Sequence, residues 1–135
     1  MLANDGATGR IALEWADGEF AFELRSKEIE ELQRLCGYTD KSGNRIPVGI
    51  AVIYQRLNLG TWSADDVLQT IRLALIGGGM NAVEAKRKLD LYGLPFRAGQ
   101  PSGSEATAIA IIGAAMFGYI DAVKDATPGE AEAPK

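Results

Sequence analysis

The chain has no histidine and a single cysteine, Cys36, among its 135 residues. Those two absences exclude a histidine-based catalytic triad, a Cys/His zinc site and an internal disulfide framework, and they fit a reducing compartment. A basic excess is missing as well. There are 14 basic against 18 acidic side chains, a formal net charge of −4. Setting aside Asp5, Asp125, Glu130, Glu132 and Lys135 in the terminal stretches leaves 13 basic and 14 acidic groups. Such a near-neutral body does not release counterions from a phosphate backbone, so no nucleic-acid partner is expected. The longest uncharged stretch, about fifteen residues between Glu105 and Asp121, falls short of the roughly twenty that a bilayer span needs. The opening Met-Leu-Ala-Asn-Asp carries neither the basic nor the apolar region of a secretory leader, and a cytoplasmic protein is the expectation.

What the chain does have is apolar material, 47% of its residues, enough for one self-supporting core at this length. Residues 1–9 and 125–135 are small, polar or acidic and are expected to be flexible ends around a single domain at 10–124. That domain opens on an alternation of Ile11, Leu13 and Trp15, a turn signal at Asp17-Gly18, and a second alternation of Phe20, Phe22 and Leu24. Asp-Gly favours a two-residue type I′ loop. The expected register sets Trp15 against Phe20, Leu13 against Phe22 and Ile11 against Leu24, with all six large side chains on one face. A lone hairpin is marginal in water, so helices from the rest of the chain must cover that face. The expected class is α+β, an N-terminal β-hairpin covered by four to five α-helices.

Five helices follow from caps and periodicity. Ser26 starts one over Lys27 to Cys36, with Ile29, Leu32 and Leu35 on a stripe and Gly37 as its stop. The turn-rich stretch from Tyr38 to Ile46 reads as an exposed loop. Pro47 opens a second helix to Leu59, with Ile50, Ile53, Tyr54 and Leu57 inward. Ser63, followed by Asp65 and Asp66, caps a third that carries Val67, Leu68, Ile71 and Leu75 up to Gly77-Gly78-Gly79. Asn81, with Glu84 completing a capping-box pattern, begins a fourth to Tyr92. The last runs from Ser104 to Val123 with Ile109, Ile112, Met116, Ile120 and Val123 on one side and alanines on the other. Because it is apolar almost all round, two accounts stay open: a central core helix, or one whose second face a partner covers.

Candidate chemistry is sparse. The triple glycine follows a helix and lacks a Gly-Lys-Ser/Thr ending, so it reads as helix termination and reversal, not as a phosphate cradle. Lys86-Arg87-Lys88 is the only basic cluster; it fans over a solvated helical face, although two helices around a short turn leave a helix-turn-helix DNA-binding regulator as an alternative. Glu30-Glu31 and Asp65-Asp66 are adjacent on helices and point about 100° apart, which does not aim both at one substrate. A hydrolase using Asp65 or Asp66 is the corresponding rival. Cys36, with no histidine to activate it, reads as a small buried thiol. No cofactor, metal or catalytic residue is expected.

The order of landmarks is more telling than any one of them. Gly9-Arg-Ile-Ala-Leu-Glu-Trp-Ala-Asp-Gly18, Phe20-x-Phe22-x-Leu24, Ile29-Glu-Glu-Leu32, Gly60-Thr-Trp-Ser-Ala-Asp-Asp-Val67 and Ile71-Arg-Leu-Ala-Leu-Ile-Gly-Gly-Gly79 together resemble the gene-transfer-agent and phage tail-assembly-chaperone family over about residues 9 to 94. The capped helix from Ser63 to the triple glycine is the most specific piece. The loop from Gly37 to Pro47 and the extended acidic C-terminus depart from the family pattern. The resemblance implies a non-enzymatic protein that keeps the tape-measure protein soluble during tail assembly, with the tail tube protein as a further partner and homo-oligomerisation possible. A structural role inside the tail tube is the alternative within the same setting. The expected client or self-association surface is Phe96, Ile109, Ile112, Met116, Phe117 and Ile120, and the unpaired edges of the hairpin permit edge-to-edge association or capture of an extended partner.

Overall fold

The computed structural model describes residues 9–93 and 104–126, with side chains through residue 118. The expected flexible ends therefore lie almost wholly outside the described residues. In chain order the elements are β1 (Ile11–Trp15), β2 (Gly18–Phe22), α1 (Ser26–Leu35), β3 (Tyr38–Thr39), β4 (Arg45–Ile46), α2 (Ile50–Leu59), α3 (Ala64–Gly77), α4 (Ala82–Tyr92) and α5 (Ser104–Ala126). The class is α+β, with an antiparallel hairpin against a mostly helical body.

The hairpin forms two residues away from its expected register. Ile11 pairs with Phe22, Leu13 with Phe20 and Trp15 with Gly18, so the loop is Ala16-Asp17 and not Asp17-Gly18. Ala16 takes a φ of 59° and is the only non-glycine among the described residues with positive φ. A type I′ loop needs both central residues there, so the Asp-Gly preference is overridden. Packing supplies the reason. Gly18 opposite Trp15 leaves the indole free to meet Phe20 and Phe22 edge-on, at 6.4 and 6.5 Å. Asp17, moved to the tip, takes both of its oxygens to Lys88 Nζ on α4 at 3.0 and 3.1 Å. Because the offset is an even step, the apolar face survives and only Leu24 leaves the ladder. Leu24 is still buried.

Helix α3 is the centre of the core: Val67, Thr70, Ile71 and Ala74 are fully buried, and the helix packs against β2, α1, α2, α4 and α5. Its start is the cap expected at Ser63, and the structure makes it a full capping box. The Ser63 hydroxyl accepts from the Asp66 amide at 3.4 Å, and the Asp66 carboxylate accepts from the Ser63 amide at 3.0 Å. Its end does more than stop. A Cβ on Gly77 would fall on the Glu23 carbonyl oxygen, and one on Gly78 on that of Ala21. The two glycines thus let the helix end lie directly on the outer edge of β2, where the Glu23 amide donates to the Ala74 carbonyl at 3.0 Å. Arg10 ties the same seam, donating to the Glu23 carboxylate at 3.1 Å and to the Gly78 carbonyl at 3.3 Å.

The other elements depart in detail from their sequence signals. Ser26 is the first helical residue of α1 and not its cap; Arg25 holds that position, and its amide donates to the buried Glu28 carboxylate at 3.0 Å. Pro47 lies outside α2, because the Val48 amide donates to the Gln33 carbonyl, Gly49 is extended as the N-cap, and the Gln33 side chain accepts from Ile50, the first residue of the helix. The stretch expected as a plain loop holds the short β3–β4 ladder. From β4 the Arg45 guanidinium donates to the Arg34 and Leu35 carbonyls at 2.9 and 2.6 Å, satisfying acceptors that the end of α1 leaves open. Asn81 caps α4 through the Val83 and Glu84 amides, but Glu84 does not complete a box; its carboxylate turns to Arg87.

Two measurements test this architecture. In a helix interior, Gly→Ala is stabilising by about 1 kcal/mol on backbone grounds alone. Gly77→Ala should instead destabilise by about 1–3 kcal/mol, since the methyl has no room beside β2; chemical denaturation reads the sign. The Glu28 carboxyl sits below its ordinary value of 4.5: burial pushes it up, but the side-chain and backbone hydrogen bonds from Arg25 outweigh that. Its contribution is therefore complete above the ordinary glutamate range and is lost as pH falls through the lower folded value. The stability gap between the native chain and Glu28→Gln should close on acidification below pH 4.5, and a gap that widened there would contradict the assignment.

Candidate protein-interaction surface

The residues that could hold a partner lie on α5, which runs antiparallel beside β1. Gly9 sits against Ala114 and Ala115, while at the other end the Trp15 Nε1 donates to the Ser104 hydroxyl at 3.2 Å in the interior. Its core stripe is Ser104, Thr107, Ala108, Ile111 and Ile112. This phase is rotated from the one expected through Ile109, Ile112 and Met116. A helix apolar on all sides carries no periodic signal to fix its rotation, and here Ser104 facing the indole and the small Ala108 facing the core set it.

The expected surface residues consequently separate. Ile112 is fully buried and belongs to the core. Ile109 and Met116 are half-buried at its margin, and Phe117 is 40% exposed. Phe96, and the side chain of Ile120, lie outside the described residues. Phe117 rests edge-on against Tyr54 of α2, with ring centroids 5.7 Å apart, and the Tyr54 ring also approaches Gly113. Tyr54 was expected to point inward; half-buried, it extends the apolar surface of α5 onto α2. A period-four aromatic at a helix margin gives no signal that separates these two roles. From residue 106 to 118 the helix carries no charged side chain.

Elsewhere the polar groups are engaged structurally. Asp66 is fully buried and receives Arg56 Nη1 at 3.0 Å, while Arg56 also donates to the Cys36 carbonyl. The pair closes the joint between α1, α2 and α3, and the bond that its carboxylate accepts from the Ser63 amide gives Asp66 a capping role. Burial, reinforced by the Asp66 carboxylate, pushes the Cys36 thiol far above its ordinary range, and an inert thiol results. In the basic run, Lys86 pairs with Asp90 at 3.2 Å, Arg87 with Glu84 at 2.6 Å and Lys88 with Asp17. Lys88, only 9% exposed, lies 5.1 Å above the Phe20 ring. It is a fastening for the hairpin tip and not part of a solvated face. The Lys88 hydrogen bond holds the Asp17 carboxyl below its ordinary value.

A groove of about 820 Å³ between α1 and α3 has Leu73, Ile76 and Pro47 on its apolar side and Lys27, Glu30 and Arg34 among its charged walls. Among the described residues no group of three or more acidic or cysteine side chains could hold a metal ion, and no helix is long and apolar enough to cross a membrane.

No curated relative and no solved structure matches the chain. One family model does, over residues 8–118, and its span coincides with the hairpin, the capped α3, the glycine seam and the charge-free part of α5. On that match, which takes in most of its length, the chain belongs to the family described as phage tail tube protein, GTA-gp10.

Proposed function

We propose that this tail-family chain is an assembly chaperone that holds the tape-measure protein by non-covalent contacts, in the cytoplasm of the bacterial host, with no chemistry of its own. The observation that carries the reading is the charge-free stretch of α5 from residue 106 to 118, with Phe117 open to solvent beside Tyr54 and with Ile109 and Met116 at the margin. A holdase needs apolar surface that an apolar client can cover, mounted on a body that folds without it. Here the body is sealed by Ile111 and Ile112 on the opposite side of the same helix. The small open residues of α5 let a long helical client approach closely. The paired charges of Lys86, Arg87 and Lys88 speak against a DNA-binding role, since each already has an acidic neighbour.

The family description favours a second reading, in which the chain is built into the tail tube. The two differ in where the protein ends up. A chaperone is depleted from purified particles, whereas a tube component remains in fixed proportion.

Co-expression with the tape-measure protein encoded nearby tests the first reading. The tape-measure protein should stay soluble and co-purify, and Phe117→Asp should weaken that association by about tenfold while the circular dichroism and melting of the chain stay close to native. A tape-measure protein that behaves identically with and without the chain rules out the chaperone role.

A further inference from the structure

The two outer edges of the hairpin are treated differently. Since the Glu23 amide points away from β1 to reach Ala74, alternation along the ladder turns the backbone groups of Glu19 and Ala21 outward on β2, and those of Ala12 and Glu14 outward on β1. The β2 edge is closed by Gly77 and Gly78. On the β1 edge no described group bonds the backbone N–H or C=O of Ala12 or Glu14.

The side chains above that edge are imbalanced. Glu14 stands directly across from Glu19 in a pair without ladder hydrogen bonds, the closer type, and neither has a basic partner among the described residues. Like charges opposed in this way destabilise a hairpin. Two residues before Ala12, at the start of the same edge, Arg10 has a side chain 46% exposed; its guanidinium reaches the other way, to Glu23 and the Gly78 carbonyl, and must release them to serve this edge.

We infer that the β1 edge is a self-association site at which a second copy of this chain adds its own β1 antiparallel, Ala12 against Ala12, to make a four-stranded sheet. In that register the dyad passes between the two alanines, whose amides and carbonyls exchange two hydrogen bonds. Arg10 of each copy then lies opposite Glu14 of the other, next to the Glu14–Glu19 pair whose repulsion it relieves. Ile11 faces Leu13 of the second copy on the inner side, where both are half-buried in the single chain. The order Arg10, Ala12, Glu14 is thus complementary to itself read backwards, which an unrelated extended segment is not. The site is separate from Phe117 and does not depend on the identity of the client.

Sedimentation of the full chain over a range of concentrations, together with amide hydrogen exchange, tests it. The native chain should show a monomer–dimer equilibrium, with exchange at the Ala12 and Glu14 amides slowing as the dimer fills. Glu14→Lys sets like charges against Arg10 across the dyad and should weaken the dimer by about tenfold, while the monomer melts at the native temperature or above because the repulsion with Glu19 is gone. Ala12→Pro removes the central donors and should abolish the dimer. Should that variant fail to fold, Glu14→Lys decides alone. A native chain that stays monomeric throughout, a dimer that both substitutions leave intact, or an edge that takes up an added unrelated peptide in preference to a second copy would overturn the inference.

Discussion

The contact on which the rest of the structure depends is between two backbones, the C-terminal turn of α3 and the outer edge of β2. Gly77 and Gly78 bring the chains closer than any side chain would permit, and the Glu23 amide uses that closeness to bond Ala74. An isolated two-stranded hairpin is marginally stable at best in water. Locked onto the helix end, it becomes one wall of a core whose centre is α3, and Phe22 and Trp15 are then buried from both sides. Arg10 and Glu28, which reach the same seam from β1 and α1, show how many elements converge on it.

Much of this was legible in the sequence because it is written in short-range signals. Ser63 with Asp66, Asn81 before Val83, and the alternation through Trp15 and Phe22 specify structure within a few residues of themselves. What could not be read involves partners far apart in the chain. The glycines were legible as a stop but not as a bearing surface, since Glu23 and Ala21 precede them by more than fifty residues. Lys88 looked like one of three solvated bases until Asp17 came to meet it, and the same meeting explains why the hairpin turns one residue early. The rotation of α5 was hidden for the opposite reason: with apolar residues on every side there is no pattern to read, and the polar Ser104 that breaks the tie is recognised only through the Trp15 indole.

The division of labour along α5 follows from that tie. One side of the helix completes the core and the other is kept free of charge, which is an unusual allocation for a helix at the surface of a small domain. Membership of a phage tail family gives this allocation a context, since such proteins act by meeting other chains. Reactive groups are correspondingly tied down: Asp66 under Arg56, Cys36 buried beside that pair, Glu84 beside Arg87.

The indole bridge between Trp15 and Ser104 has one more consequence. It joins the hairpin to the first turn of α5 inside the protein, so any event that lifts this helix end must bring the ring into water and cost it a hydrogen bond. Tryptophan emission shifts to longer wavelength on such a transfer. The molecule therefore carries an intrinsic optical gauge at the first turn of its most apolar helix, one that needs no label and distinguishes a partner resting on the outside from one that prises the helix away.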